Sequence, residues 1–376
     1  MYLEKISLVN FRNYRESTVS FNSCLNIIYG SNAQGKTNLL EAIYLLCLGR
    51  SFRQANNEDL LNTGADYFTL DGDLKLDNGI SKRVVVQYKK DGKKEISIDR
   101  KRIKSHATVF GKFPTIVMSP DDYKITTGGP SERRRFIDIL LSQFSLTYLN
   151  NLQDYHRILR QRNSILQSQR EGGSVSDAAI EPWSEKLVQV GSQIVQSRYA
   201  FVQQFLPTVD SIYKNYTQSK DSFGMCIDST TNENGEQPKE ESFFSALLSC
   251  RSRERAMGTT LVGPHRDDII FEIDGKNLRK YGSRGEHKSV LISLKLAEFR
   301  FLKEKRVETP VFLLDDFISE LDKFREEKVF SSLQGLGQIF LTTPTKKMLS
   351  DDFLGAASFF DVSKFHVAEG QIELYN

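Results

Sequence analysis

Strand-like alternation of apolar and polar residues dominates the first third of the chain. It runs from residue 1 to residue 29, and the last predicted strand ends at Tyr29-Gly30. Residues 36–48 (KTNLLEAIYLLCL) follow a helical period instead and stop at Gly49. Over 66–118, short alternating stretches separated by Asp-Asn-Gly and Asp-Gly turns predict antiparallel strands.

The middle of the chain changes to a helical pattern. Two long helical stretches are predicted at about 131–170 and 182–216, joined by a linker that contains Gly-Gly-Ser. Residues 219–240 end in a polar loop, and another helix is expected at about 240–257. From Leu261 onward, predicted strands and helices alternate again.

Both ends of the chain are therefore expected to build one α/β domain that is interrupted by an insertion. We assign residues 1–130 and 258–376 to this domain, which would combine a mixed sheet with an antiparallel β subdomain. Residues 131–257 form the inserted helical domain. The insertion lacks sustained heptads, so a long coiled coil is not expected.

Composition narrows the class of protein. The 376 residues are 39% hydrophobic and 26% charged, which is typical of a folded globular chain. Its four cysteines are scattered without a CxxC pair, which argues against a disulfide framework and suits a reducing compartment. The longest apolar run, 42–48, is far shorter than a membrane span, and the start shows no secretory pattern. We expect a cytoplasmic protein that does not enter membranes.

A phosphate-binding loop lies between the predicted strand and helix near residue 30. Gly30, Ser31, Asn32, Ala33, Gln34, Gly35, Lys36 and Thr37 fit the pattern GxxxxGK[ST]. The glycines allow a tight turn whose N–H groups point at phosphate oxygens, and the following helix adds a favourable dipole. Lys36 is expected to reach the outer phosphates of ATP, and the Thr37 hydroxyl is expected to bind Mg²⁺.

A second motif carries two carboxylates. Residues 311–314 (VFLL) predict a buried parallel strand that ends at Asp315 and Asp316. Ligands bind at the carboxyl ends of strands in such sheets, so both acids are expected near the phosphate loop. Asp315 would hold Mg²⁺, and Asp316 would polarise the attacking water.

Three further segments, in this order and spacing, resemble the head of the ATP-binding-cassette family. Ser283 and Gly285 occupy the position of its signature motif, Ser319–Asp322 that of its D-loop, and Thr343 that of its switch histidine. The resemblance implies that Ser283, Gly285 and Asp322 contact ATP held by a partner subunit. Three departures predict slow hydrolysis: Glu286 replaces a glutamine, Asp316 a glutamate, and Thr343 the histidine.

The whole chain is similar to the RecF family of bacterial recombination mediators, ATP-binding-cassette-type ATPases of the SMC-like group. The matching segments are LVNFRNY at 8–14, residues 30–38, MSPDD at 118–122, GPSERRRF at 129–136, VGPHRDD at 262–268, residues 283–288 and residues 313–322. The resemblance implies an ATP-dependent homodimer with weak, DNA-stimulated ATPase activity. It also implies that Arg12, Asn13 and Asn38 lie near the nucleotide, and that Ser119–Asp122 serves as the Q-loop.

By the same resemblance, the expected partners are double-stranded DNA and single-/double-strand junctions, mediators of the RecR and RecO type, and a RecA-type recombinase. The role implied is help in loading that recombinase at gaps during DNA repair and replication restart.

A basic segment offers one candidate surface for DNA. Residues 82–104 carry ten lysines and arginines against three acids, although the whole chain has a net charge of only +3. Lys89, Lys90, Lys93 and Lys94 are the candidate DNA contacts, because such a hairpin can follow phosphates without reading sequence. The alternative is a solvated sheet edge that its lysines protect from aggregation.

Arg133, Arg134 and Arg135 are the other DNA candidates. With Ser131 as the expected N-cap, these cations fall in a first helical turn, where the helix dipole disfavours them. They therefore need a partner, which is a phosphate, DNA or local acids such as Glu132 and Asp138.

Other classes of protein remain as alternatives. A transporter ATPase subunit shares the cassette motifs but needs neither the insertion nor the basic segment. A chromosome-maintenance ATPase would need a long coiled coil, and a small-molecule kinase would not need residues 283–288. The five histidines show no zinc-binding spacing.

Overall fold

The computed structural model describes residues 1–90, 92–103, 109–172, 176–231, 239–316, 323–345 and 357–366. Contacts divide the chain into two compact units, Met1–Asp122 with Glu298–Asn376, and Tyr123–Ala297. Residues 258–297 thus fall in the unit that holds the helices, whereas we assigned them to the α/β domain. The assignment of functional domains at 131 and 258 stays a prediction.

The first unit contains an antiparallel sheet in the order β2-β1-β4-β5-β6-β7. Its strands are β1 (Tyr2–Phe11), β2 (Tyr14–Ser20), β4 (Tyr67–Lys75), β5 (Ser81–Lys89), β6 (Lys94–Ile98) and β7 (Lys101–Arg102). A parallel sheet follows the order β14-β3-β13-β12-β8. Its strands are β3 (Leu25–Tyr29), β8 (Thr115–Met118), β12 (Val311–Leu314), β13 (Ile339–Thr343) and β14 (Ala357–Asp361). The expected buried parallel strand is present, and β4, β5, β6 and β7 form the expected antiparallel hairpins. Strand β8 at the end of the predicted antiparallel stretch 66–118 instead pairs in parallel with β12, because its partner lies far along the chain.

Helix α1 (Lys36–Leu48) is buried on nearly every side because it contacts strands of both sheets in this unit. That position explains why its sequence is apolar around the whole helix rather than along one stripe. A Cβ at Gly72 of β4 would collide with the Leu46 side chain, so a glycine lets the strand approach the helix. Helix α10 (Lys323–Leu333) also belongs to this unit.

The second unit is mainly helical. It contains α2 (Tyr123–Thr127), α3 (Pro130–Phe144), α4 (Leu146–Arg170), α5 (Glu181–Thr217), α6 (Glu240–Ser249), α7 (Arg251–Met257) and α8 (Leu278–Tyr281). Its small antiparallel sheet, β11-β10-β9, consists of β9 (Phe223–Asp228), β10 (Asp268–Ile273) and β11 (Lys276–Asn277). The boundary at Glu298 falls within helix α9 (Arg284–Lys305).

Several predicted elements needed correction. The first long helical stretch is two helices, because Ser145 ends α3 and caps α4 by accepting a hydrogen bond from Tyr148 N at 3.1 Å. Helix α3 begins at Pro130 after the N-cap Gly129, so the expected N-cap Ser131 lies inside it. Strand β9 was missed in the polar segment because its pairing with β10 connects residues 40 to 50 positions apart.

Among the residues that the structure describes, no helix is long and apolar enough to cross a bilayer.

A buried ion pair joins α4 to α7 in the second unit. Arg162 and Glu254 are 2% and 0% exposed, and their atoms Nη2 and Oε2 are 2.6 Å apart. Arg162 also donates to Ser184 Oγ at 3.1 Å and to Thr260 Oγ1 at 2.8 Å. Each of the three nitrogens of the Arg162 guanidinium therefore donates a hydrogen bond to a different residue.

We predict that Glu254→Gln lowers the free energy of unfolding by about 3 kcal/mol, because it leaves a buried guanidinium without its counter-ion. Urea denaturation followed by circular dichroism measures the change. The matched control is Asp154→Asn, which removes an exposed pair with Arg157 of similar length, 2.9 Å, and should cost less than about 1 kcal/mol. Equal effects would show that burial does not set the strength of this pair.

Candidate nucleotide-binding site

The phosphate-binding loop connects β3 to α1, as its sequence predicts. Its last glycine, Gly35, has φ 110°, which an L side chain rarely adopts. A Cβ there would lie 2.6 Å from Asn13 Nδ2 and 2.9 Å from the Tyr14 hydroxyl. Glycine is required at this position for both its backbone angle and its close neighbours.

The Lys36 side chain lies inside the phosphate-binding loop that precedes α1. Its side chain is 4% exposed, and Nζ donates to Gly30 O at 2.9 Å and Ser31 O at 3.3 Å. Nζ is also 4.0 Å from Asp316 Oδ2. The ammonium group is thus positioned within the loop, where it can bind phosphate oxygens.

Thr37 and Asp315 meet as the sequence predicts. Thr37 Oγ1 donates to Asp315 Oδ1 at 2.9 Å, and Thr342 Oγ1 donates to the same oxygen at 3.0 Å. Strand β13 lies between β3 and β12, so Thr342 reaches the carboxylate from the central strand. A hydroxyl and a carboxylate are oxygen ligands of the kind that Mg²⁺ prefers, and the pair fits such an ion. Burial raises the pKa of Asp315.

Asp316 is held by its backbone. Its N–H donates to Thr342 Oγ1 at 2.7 Å, and its φ of 43° lies in the left-handed region, which aspartate tolerates better than most residues. This conformation leaves the carboxylate 31% exposed and near Lys36. Thr342 therefore orients both acids, a role that the sequence analysis did not assign to it.

Residues at the turn between β1 and β2 stabilise the phosphate-binding loop by hydrogen bonds. Asn13 Nδ2 donates to Gln34 O at 3.0 Å, and Asn38 Nδ2 donates to Asn13 Oδ1 at 2.8 Å. The Tyr14 hydroxyl donates to Gly35 O at 3.0 Å, and burial raises its pKa, so the hydroxyl keeps its proton. Asn13 thus contacts the loop backbone and Asn38 positions Asn13, while their approach to the nucleotide stays a prediction.

Arg12 is held by an acid that the sequence analysis did not identify. Its Nε and Nη2 donate to the two oxygens of Glu41 at 2.9 and 3.0 Å. Glu41 is fully buried and also accepts from Ser51 Oγ at 2.5 Å. Arg53 Nη1 completes the cluster by donating to Asn38 Oδ1 at 3.2 Å. A single acid inside an otherwise apolar helix was the signal that could have revealed Glu41.

The remaining predicted residues of the first unit lie at strand ends. Ser119 follows β8 and donates from N and Oγ to Asp122 Oδ2, at 2.7 and 3.0 Å. Thr343 ends β13 opposite Tyr29, and its Oγ1 donates to Thr345 O at 3.1 Å. Their roles as Q-loop and switch stay predictions. Ser319–Asp322 lies outside the described residues.

Ser283 is the exposed residue before helix α9 in the second unit. Glu286 N donates to Ser283 Oγ at 3.2 Å, and Ser283 N donates back to Glu286 Oε2 at 2.7 Å. This is a reciprocal capping box, and its hydrogen bonds lower the pKa of Glu286. The glutamate that replaces the expected glutamine is thus a charged cap, and Gly285 lies beside it in the first turn.

The basic hairpin is less uniform than its sequence suggests. Lys89, Lys90 and Lys93 are exposed around the turn between β5 and β6. Lys94 instead donates from Nζ to Gly49 O at 2.9 Å, where it caps the end of α1, and burial lowers its pKa. Among the three exposed lysines, Lys90 Nζ lies 3.8 Å from Asp66 Oδ1. Further cations of the segment also pair with acids: Lys82 with Asp99, Arg83 with Asp71 and Arg102 with Glu95.

The three arginines of α3 differ in environment. Arg133 is 3% exposed, and its Nε and Nη2 donate to the oxygens of Asp268 at 2.8 Å each. This supports the alternative of a local acid, although the acid is Asp268 rather than Glu132 or Asp138. Arg134 is half-buried and donates to Asp267 O at 2.5 Å, and Arg135 is also half-buried. Their DNA contacts stay predictions.

Comparisons with known proteins agree with this geometry. Residues 2–364 match the family model described as "RecF/RecN/SMC N terminal domain". The "DNA replication and repair protein RecF" of Lysinibacillus sphaericus (strain C3-41) is 32% identical, and the match covers 99% of this chain and 100% of that protein. Its namesake in Acetivibrio thermocellus is 36% identical, with coverage of 94% and 96%.

Solved structures extend the likeness to the fold. One described as "Structure of the recombination mediator protein RecF-ATP in RecFOR pathway" matches with a TM-score of 0.88 and 32% identity, covering 96% of each chain. The Smc head domain of Pyrococcus furiosus matches at 0.54 and 16% identity, covering 95% of this chain, and shows the fold alone. The predicted cassette-type ATPase head, with its mixed α/β sheets, is confirmed.

We predict that Asn13→Ala weakens ATP binding by about tenfold, because it removes a part-buried hydrogen bond and leaves the Gln34 carbonyl without that donor, which costs about 1–3 kcal/mol. Isothermal calorimetry with a slowly hydrolysed ATP analogue measures the affinity. Asn150→Ala, an exposed change on α4, is the control and should bind like the wild type. Unchanged affinity in Asn13→Ala would mean that the loop holds its shape without this brace.

We also predict that, in the absence of bound metal, the ionisation of Asp315 makes the stability of the protein depend on pH. Its raised pKa means that the folded chain holds this proton at a pH where the unfolded chain has released it. Stability relative to Asp315→Asn should therefore fall as pH rises from about 4 to 7. Urea titrations across that interval measure the difference, with Asp66→Asn, whose acid is 84% exposed, as the control. A flat difference for Asp315→Asn would contradict the prediction.

Proposed function

The chain belongs to the RecF/RecN/SMC family and within it to the RecF DNA replication and repair proteins, and from this premise we propose that it is an ATP-dependent, DNA-binding recombination mediator. ATP drives the formation of a homodimer that binds DNA at single-/double-strand gaps. Slow hydrolysis then releases the dimer. The contact between Thr37 and Asp315 carries this proposal, because it brings the two nucleotide motifs together.

Mg²⁺ would be bound by Thr37 and Asp315, and when bound it supplies positive charge beside the phosphates. Lys36 binds and neutralises phosphate oxygens from inside the loop. Asn13, Asn38 and the Tyr14 hydroxyl keep the loop in its binding conformation. These residues explain how the chain binds the nucleotide without large rearrangement of the loop.

Hydrolysis is proposed to be slow. The Asp316 side chain is one methylene shorter than the glutamate of the cassette family, and its carboxylate pairs at 4.0 Å with Lys36. Thr343 directs its hydroxyl to Thr345 O rather than offering an imidazole. In an ATPase with these features, the ATP-bound dimer persists until slow hydrolysis shifts the equilibrium toward the separated state.

Ser283 is the proposed contact to the ATP of a partner copy. It is exposed, and the capping box fixes its position at the N-terminus of α9, where the helix dipole favours a phosphate. Glu286 orients Ser283 rather than binding the anion itself. Gly285 and Asp322 are proposed to complete this end of the site.

DNA is proposed to contact the exposed turn of Lys89, Lys90 and Lys93, whose cations follow phosphates without reading bases. Lys94 and Arg133 are engaged in structural contacts and are weaker candidates. Mediators of the RecO and RecR type and a RecA-type recombinase are the proposed partners in the cytoplasm, in line with the RecFOR pathway named for the similar structure. No observation favours the transporter or kinase alternatives.

The decisive experiment measures oligomeric state and binding to gapped duplex DNA, with and without ATP. Wild type should dimerise and bind the gapped DNA more tightly with ATP, by about tenfold or more. Lys36→Arg should bind ATP poorly and lose both effects. Ser283→Arg should bind ATP normally but fail to dimerise, because the long side chain blocks the partner's phosphates.

Ser164→Arg, which adds the same side chain at an exposed position of α4, is the matched control and should behave as wild type. If ATP neither dimerises the wild type nor strengthens its DNA binding, the proposed function is wrong. A Ser283→Arg protein that still dimerises would exclude the contact to the partner's ATP while leaving nucleotide binding intact.

A further inference from the structure

Two sequence motifs without a role in the nucleotide site meet around one cavity in the second unit. Helix α3 carries the three arginines, and the loop at 262–268 carries the sequence VGPHRDD. Between them lies a cavity of about 160 Å³. Its polar lining consists of Arg134, Asp138, Tyr155, His156, Arg198 and His265.

The carboxylate in this lining is already neutralised. Both oxygens of Asp138 accept from Arg198 Nη2, at 2.8 and 3.1 Å. Oδ1 also accepts from the Tyr148 hydroxyl at 2.5 Å. Arg198 in turn donates from Nη1 to Pro264 O at 2.7 Å. This pair, in which Arg198 is 3% and Asp138 is 17% exposed, forms one wall of the cavity, and its carboxylate is already paired with a guanidinium.

Arg134 is that second cation. Its one hydrogen bond within the described residues is to a carbonyl, Asp267 O. Of the neighbouring acids, Asp268 pairs with Arg133, and Asp267 Oδ1 accepts from Ser229 Oγ and Thr230 N at 3.0 Å each. Asp267 Oδ2 is buried without a hydrogen-bond partner among the described residues, so Arg134 does not pair with it. Burial, and then the proximity of Arg198, lower the pKa of Arg134. The guanidinium therefore faces the cavity with most of its donors available.

The remaining wall is neutral and rigid. The Tyr155 hydroxyl and His265 Nδ1 are 2.7 Å apart, and His265 Nε2 lies 3.2 Å from Thr260 O. These contacts occupy both ring nitrogens, and burial lowers the pKa of His265 to about 4. His156 lies at the exposed rim, where it can respond to a bound anion. The cavity thus repels cations and offers donors from one side.

We propose that this cavity binds a single phosphate group. A phosphate offers several strong acceptors to a guanidinium, and its negative charge relieves the repulsion between Arg134 and Arg198. The volume is below the about 300 Å³ at which pockets for drug-sized ligands begin, so a nucleoside does not fit. The phosphate is either inorganic phosphate or the terminal phosphate of a DNA strand.

Inorganic phosphate is the first probe, titrated against the full chain at constant ionic strength. The imidazole signals of His156, assigned with His156→Asn, report on the cavity and not on the ATP site. We expect a saturable shift for wild type and at least tenfold weaker binding for Arg134→Gln. Arg253→Gln, which removes an exposed arginine from α7, is the control and should titrate like wild type. Arg134→Lys, which keeps the charge, should retain part of the affinity.

A second experiment distinguishes inorganic phosphate from a DNA terminus. It compares two gapped duplexes whose strand end at the gap carries either a phosphate or a hydroxyl. Tighter binding of the phosphate form that depends on Arg134 would identify a strand terminus, and equal binding would identify inorganic phosphate. Only this arm rests on the proposed DNA binding. If His156 shows no saturable shift with phosphate, or the same shift in Arg134→Gln, the cavity is not a phosphate site.

Discussion

One oxygen, Asp315 Oδ1, connects the parts of the nucleotide site. It accepts from Thr37 at the start of α1 and from Thr342 near the end of β13, at 2.9 and 3.0 Å. Thr342 then accepts from the Asp316 N–H, so one small network sets the phosphate loop, the central strand and both acids. Burial makes the carboxylate costly in its charged form, and a divalent cation would offset that cost.

The loop keeps its shape because of contacts from outside the motif. Asn13 and Tyr14 bind its carbonyls from the β1–β2 turn, and Glu41 ties Arg12 to the helix that the loop opens. Helix α1 is itself enclosed by strands of both sheets. A buried acid in such a helix is unfavourable unless it is paired, and here it accepts from Arg12 and Ser51.

Arginines in the second unit mainly organise the helices. Arg133, Arg162 and Arg198 are each buried against a carboxylate that is at least 60 positions away in the sequence. These pairs connect α3, α4 and α5 to distant parts of the same unit. Such pairs specify which surfaces meet, because a mismatched neighbour would leave a buried charge unpaired. Arg134 differs because its hydrogen bond within the described residues goes to the Asp267 carbonyl rather than to a carboxylate, and this leaves a cationic wall in the cavity.

Local patterns in the sequence were enough for the motif-bearing elements. The phosphate loop between β3 and α1 and the Asp pair after β12 lie where the sequence predicted them. These features depend on short-range rules of turn and strand end. The likeness to the ATP-binding-cassette head followed from the order of these motifs along the chain.

Tertiary structure determined which charged side chains pair with acids and which face solvent. A run of lysines or arginines has the same sequence appearance whether it faces solvent or an acid distant in the chain. Only the fold pairs Arg133 with Asp268, turns Lys94 onto the end of α1 and places Thr342 between the motifs. Sequence by itself determined the nucleotide motifs because their geometry is local. Long-range packing alone decided the pairing of charges, because electrostatic partners are set by proximity in space.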